Sequence, residues 1–243
     1  PEDLLPLLQQ NNFDGCVAVQ ARQSEEETNM LISLANENNF IKAVVGWIDL
    51  QADNAEEKLQ YFNRFKIIKG FRHVLQGEDD RALMLRSAFK RGISILGKFG
   101  FTYDILIFPD QLQYIPEFVA AFPNQKFVID HIAKPDIKNK NFDEWKKNME
   151  AIAVYENVFC KLSGMVTEAN WHHWKQSDFN AYIDVVLNCF STNRIMFGSD
   201  WPVCLVAASY DQVCNILDEA TQHLSVEEKK LLWGINCKNF YNI

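Results

Sequence analysis

Residues 194–202 read Arg-Ile-Met-Phe-Gly-Ser-Asp-Trp-Pro. The first five, Arg194–Gly198, form a short apolar run of the kind that makes a strand buried on both faces of a parallel sheet. Gly198 and Ser199 let the backbone turn tightly, and the following Trp-Pro stops further pairing because proline has no N–H to give a ladder. Asp200 is thereby expected just past the C-terminal end of a buried strand. An aspartate there can act as a general base or a metal ligand. It can equally cap its own turn.

Six more runs of this type lie upstream: Cys16–Gln20, Ala43–Leu50, Ile67–Leu75, Tyr103–Phe108, Lys126–His131 and Asn157–Leu162. Amphipathic stretches fill the gaps. One opens at Ser24 with a capping-box pattern and runs toward Asn38. Others are expected near 54–65, 79–91, 111–122, 142–155 and 178–190, with two more near 209–222 and 226–240. Strand midpoints recur about every 30 residues, the length of one strand–helix unit. No strand is followed by the GxGxxG of a doubly wound dinucleotide fold. The pattern predicts an α/β fold of the (β/α)8 TIM-barrel type in one domain over 1–243. A closed barrel needs eight strands, and only seven are legible. They are preceded by a helical segment near 2–11 that should itself follow a strand, so a first strand is expected upstream of Pro1.

The 243 residues are 48% hydrophobic, 13% aromatic and 23% charged, with a net charge of −8. That composition supports a sizeable core and excludes disorder. An acidic chain without a basic run is a poor partner for nucleic acid or an anionic membrane, and no apolar stretch is long enough to span a bilayer. The six cysteines form no CxxC pair. Several sit among apolar residues, as free buried thiols in a reducing cytoplasm do.

Barrel active sites gather at the C-terminal ends of the strands. Read in that light, His131 stands at the end of one strand and Asp200 at the end of another, which favours a functional over a capping role for Asp200. Period-2 alternation places Phe127, Ile129 and His131 on one face, with Asp130 on the other. Lys161, with Phe159 and Ser163 on its face, is conspicuous inside an apolar strand, since lysine is almost never buried unpaired. Arg72 and His73 sit at a strand end but cannot both point inward from a regular strand. Tyr103 and Trp201 complete the candidates for substrate contact. The Trp171-His172-His173-Trp174 cluster reads as a loop over the mouth; adjacent histidines diverge too far to share a metal.

Together the strings GFRHVLQ, YDILIFPDQL, VIDHIAKP, CKLSGMVTEANW and FGSDWPVC resemble the amidohydrolase-related family, and within it the branch of sugar lactonases acting on L-fucono- and L-rhamnono-lactones. The resemblance spans nearly the whole chain. It implies a distorted TIM barrel and hydrolysis of a C–O or C–N bond. In the superfamily the first strand supplies His-x-His, a later strand a histidine, and the last strand an aspartate; His131 and Asp200 match the latter two. None of the five histidines form a His-x-His pair. His131 and Asp200 are therefore candidate metal ligands only if the missing strand supplies others, because zinc takes about three protein ligands plus water. The Arg72-His73 region occupies the position of the bridging residue of binuclear relatives, which argues against two metals.

The implied activity is opening of a sugar-acid lactone. Asp200 would be the general base and His131 would orient water, with Arg72, His73 or Lys161 facing the developing oxyanion. No cofactor is required on this reading, although one weakly held divalent ion such as Zn2+ is compatible with it. The partner is a small-molecule sugar lactone, and the oligomeric state stays open, a homo-oligomer included. The rival readings are a zinc-dependent decarboxylase of the same family and a non-catalytic binding barrel.

Overall fold

The computed structural model describes residues 1–243. Seven strands form one parallel sheet whose spatial order is its chain order: β1 (Cys16–Val19), β2 (Ile41–Gly46), β3 (Ile68–His73), β4 (Thr102–Ile105), β5 (Phe127–Ile129), β6 (Val158–Leu162) and β7 (Ile195–Phe197). The sheet curls as an α/β barrel of TIM type lacking one strand. β1 and β7 are its two edges and do not pair with each other. Across their gap Phe13, just before β1, stacks on Phe197 of β7 with ring centroids 5.4 Å apart.

Helices α1 (Leu4–Gln10), α2 (Glu25–Glu37), α3 (Ala55–Phe62), α4 (Ser87–Lys98), α5 (Ile115–Ala120), α6 (Asp143–Ala153), α7 (Ser177–Phe190) and α8 (Tyr210–Ala220) alternate with the strands. The Ser24 side chain accepts a hydrogen bond from the Glu27 amide and caps α2, but the box expected there is only half formed, because the Glu27 carboxylate accepts from the Ala21 and Arg22 amides instead. The segment expected helical at 79–91 begins later and runs on to Lys98; Asp80 and Arg86 form an ion pair in the preceding loop instead. The last helical stretch divides into α9 (Val226–Lys230), a π turn at Leu231–Ile235 and α10 (Asn236–Tyr241).

Two cores result. The larger, 57 buried residues, lies between sheet and helices. The smaller is the barrel interior: Val45, Val128 and Met196 pack with Phe240 and Tyr241 of α10, flanked by Val17, Val19 and Phe159. The C-terminal helix is therefore the floor of the barrel, tied there by Lys126 and Lys69, which donate to the carbonyls of Asn239 and Asn242. No helix is long and apolar enough to cross a membrane, and all six cysteines are free thiols.

Candidate active site

Alternation along each strand sends one set of side chains into the barrel, and four of them carry charge. Lys161 of β6 places its ammonium 2.5 Å from Asp104 Oδ2 and 2.7 Å from Asp130 Oδ1. Arg72 of β3 donates from Nη1 to Asp130 Oδ2 at 2.8 Å and from Nη2 to the Gln20 carbonyl. The phenol of Tyr241 rises from the floor to donate to Asp104 Oδ2 at 2.7 Å. Two cations and two anions cancel, which is how charges are kept inside a barrel. Burial alone would push Asp130 up, but Lys161 and Arg72 outweigh it and hold the carboxyl well below the usual range. For Asp104 burial wins and the shift is upward. Lys161 would be lowered by burial, yet its two aspartates carry it upward.

Above this layer the chain does something alternation does not foresee. β5 ends at Ile129, and His131, Ile132, Ala133 and Lys134 all adopt positive φ (53, 46, 59 and 50°). A left-handed conformation costs about 1–2 kcal/mol for each non-glycine residue. The turn is held by burial of Ile132 and Ala133 and by the Trp145 indole, which donates to the Ile132 carbonyl at 2.8 Å. It is closed by the Lys134 amide donating to the His131 carbonyl at 2.8 Å. The expectation that His131 shares a face with Phe127 and Ile129 is thus corrected: the strand has ended, Asp130 is the residue that points into the barrel, and the turn swings His131 over the mouth.

There the imidazole lies between two strands' ends. His131 Nδ1 is 2.8 Å from Ser163 Oγ, just past β6, and Nε2 is 3.6 Å from Asp200 Oδ1, just past β7. Gly164 makes this approach feasible, since a Cβ at that position would sit 2.7 Å from His131 Cβ and Cγ. Burial lowers the His131 pKa against the opposing pull of Asp200, which favours the neutral ring. His131 and Asp200 keep side-chain exposures of 13% and 14%, enough to meet a small molecule. Beside them Lys134 and Glu168 face each other at 3.9 Å. Burial raises the Glu168 pKa; the nearby Asp200 adds to the rise and Lys134 opposes it.

The structure brings His131, Asp200, Arg72 and Lys161 to the C-terminal half of the barrel and leaves two candidates elsewhere. Tyr103 is fully buried on the helix side of β4 among Phe89, Phe118 and Phe127. Its neighbour Asp104 takes the inward position. His73 likewise faces the helix layer, edge-on to Phe89, with Nδ1 accepting from the Trp47 indole at 3.3 Å and Nε2 2.7 Å from Glu78. Trp201 follows Asp200 partly buried against the main core. Trp171 is half exposed on the loop after β6, and Trp174 ties that loop to the one after β7 through the Ala207 carbonyl at 2.8 Å. Asp104, Asp130, Ser163, Lys134 and Glu168 were not singled out for a role by sequence reasoning. Alternation from the apolar Val128 would have found Asp130; nothing in the sequence announces the left-handed turn that delivers Lys134.

The sequence profile of the family described as amidohydrolase matches residues 1–243. An L-fucono-1,5-lactonase of Burkholderia multivorans is 38% identical over 245 residues, covering 96% of this chain and 82% of the relative. An L-rhamnono-gamma-lactonase of Scheffersomyces stipitis is 24% identical, covering 87% and 72%. The crystal structure of an amidohydrolase from Burkholderia multivorans with bound zinc superposes with a TM-score of 0.96 at 37% identity, covering 100% of this chain and 88% of that one. That relative's metal invites a test of the donors here. His131 Nε2 and Asp200 Oδ1, 3.6 Å apart, are positioned to share an ion, but no three His, Cys, Asp or Glu side chains gather into a metal-binding set. Two donors fall short of zinc's usual set of about three protein ligands and a water, so the residues of this chain do not by themselves fit the ion.

Proposed function

We propose that this chain, which belongs to the amidohydrolase family, hydrolyses the ring ester of a sugar-acid lactone of the L-fucono- or L-rhamnono-lactone class. The observation that carries the reading is the His131–Asp200 pair at the barrel mouth, with Ser163 on the far ring nitrogen. The names of the sugar-lactonase relatives support the substrate class.

A lactone is opened by adding water across its acyl C–O bond. In the proposed reaction the Asp200 carboxylate accepts a proton from water as the water oxygen bonds to the carbonyl carbon. His131, with Nδ1 engaged by Ser163 Oγ, turns Nε2 toward the same water and orients it. The carbonyl oxygen becomes an oxyanion. Lys161 donates to Asp104 and pairs by charge with Asp130; a remaining ammonium donor is assigned to that oxyanion, with Arg72 holding Asp130 in register. The acyl C–O bond then breaks, the departing ring oxygen takes the proton from Asp200, and an open aldonic acid leaves as its carboxylate. A cytoplasmic location belongs to the same proposal, because six free thiols suit a reducing compartment.

The test is a lactone panel read with a pH indicator, since each turnover releases one proton, alongside a CO2-release assay with aromatic acids. Acid release from sugar lactones that disappears in Asp200→Asn supports the proposal. CO2 release without lactone opening overturns it in favour of a decarboxylase.

A further inference from the structure

Next to the His131–Asp200 pair stands a second charged pair that the reaction above does not use. Lys134 and Glu168 reach the mouth from the loops after β5 and β6, and their side chains are only 18% and 21% exposed. Their N···O separation of 3.9 Å is too long for a hydrogen bond. Lys134 Nζ makes no hydrogen bond within the chain. Glu168 Oε1 accepts one from its neighbour Thr167 at 3.1 Å, and Oε2 accepts none. Charged groups this enclosed ordinarily satisfy one another; these two are held just apart, with donors and acceptors to spare.

The strained turn explains how Lys134 comes to be there. In an extended strand residues three apart point to opposite faces. A closed turn with an i to i+3 hydrogen bond stacks them on one side instead. The left-handed run therefore sets Lys134 on the same side as His131, at a backbone cost the fold sustains through Trp145 and the burial of Ile132 and Ala133. Strain of this kind concentrates at functional sites. Beneath the ammonium lies the ring of Phe108, its centroid 5.6 Å from Lys134 Nζ and 5.9 Å from Arg81 Cζ, with 37% of the residue exposed. An ammonium and a carboxylate separated by a gap, with an aromatic face alongside, match a ring that carries neighbouring hydroxyls on one edge and C–H bonds on its face.

We propose that Lys134, Glu168 and Phe108 form the subsite that selects a polyhydroxylated lactone, Lys134 donating to one ring hydroxyl and Glu168 accepting from the next, with the sugar's C–H face on Phe108. The assignment rests on the lactone reading above. It makes the pair specificity determinants and leaves bond-making to His131 and Asp200.

The experiment compares kcat/KM for L-fucono-1,5-lactone with that for δ-valerolactone, which has the same ring without hydroxyls. In Lys134→Met and Glu168→Gln the ratio of the two should fall by about 10–100-fold, most of it in KM for the sugar lactone, as expected when a charged hydrogen-bond partner of a substrate hydroxyl is removed. The ratio is insensitive to a loss of folded enzyme, which scales both substrates alike, and Glu168→Gln preserves shape should Lys134→Met fold poorly. An unchanged ratio in both variants overturns the subsite while leaving the lactonase reading intact. A wild-type chain that opens neither lactone overturns the lactonase reading, and the subsite with it.

Discussion

Asp200 presents Oδ1 to His131 Nε2 at 3.6 Å while Ser163 Oγ occupies the opposite ring nitrogen at 2.8 Å, so one imidazole joins the ends of three strands. If Asp200 is the base, Asp200→Asn keeps the shape of the side chain and removes the proton acceptor. Lactone turnover should drop by about 10²–10⁴-fold, the usual worth of general-base catalysis, with a smaller change in KM. Steady-state kinetics decides the matter: turnover near wild type would make Asp200 a turn cap.

Gly164 is the space into which His131 leans. In Gly164→Ala the new methyl meets His131 Cβ and Cγ at 2.7 Å, in a residue already at φ 65°. Overpacking costs about 1–3 kcal/mol and a left-handed alanine about 1–2 kcal/mol. A lower melting temperature should accompany loss of kcat as the ring is displaced from Asp200. A melting temperature and kcat equal to wild type would show that the ring and the loop give way freely.

Lys161 stabilises two carboxylates at once. Lys161→Met leaves Asp104 and Asp130 facing each other in the barrel, and breaking a buried ion pair from one side costs about 3–5 kcal/mol. Urea unfolding should show that loss, and adding Asp104→Asn to Lys161→Met should recover part of it by removing one orphaned charge. A double variant no more stable than the single one would contradict the shared-ammonium arrangement.

Burial pushes the Cys16, Cys204 and Cys237 thiols up to about 11 and Cys214 to about 12. The thiolate is the nucleophile. At pH 8 the native protein should therefore leave these four unalkylated by iodoacetamide, while the urea-unfolded chain reacts at all six cysteines. Mass mapping checks this; rapid native modification of Cys16 at pH 8 would show that its strand edge is open to solvent.

The barrel was legible because buried parallel strands are written as short apolar runs at a nearly constant spacing, and all seven appear where those runs lie. Lys161 was legible as an anomaly, a lysine among apolar neighbours. What period-2 reasoning missed follows from where strands stop. At His131 the backbone leaves the strand for a left-handed turn written in ordinary residues, His-Ile-Ala-Lys, with no glycine to announce it. At β4 the sequence singles out Tyr103, and only the register of the strand decides that Asp104 rather than Tyr103 enters the barrel. The chain's far end held the other surprise, a tyrosine whose partner lies 137 residues away.

That last contact has a consequence for how the protein is made. Phe240 and Tyr241 pack on Val45, Val128 and Met196, with Val17 and Val19 alongside, so strands made early share a core with a helix made much later. While α10 is still inside the ribosome the emerging strands have no floor, and Asp104 lacks its phenol donor. Contacts this distant along the chain slow folding and prolong exposure of apolar strands. The barrel's interior should therefore consolidate only after synthesis has passed residue 241, and a nascent chain halted between β7 and α10 is a natural client for a chaperone.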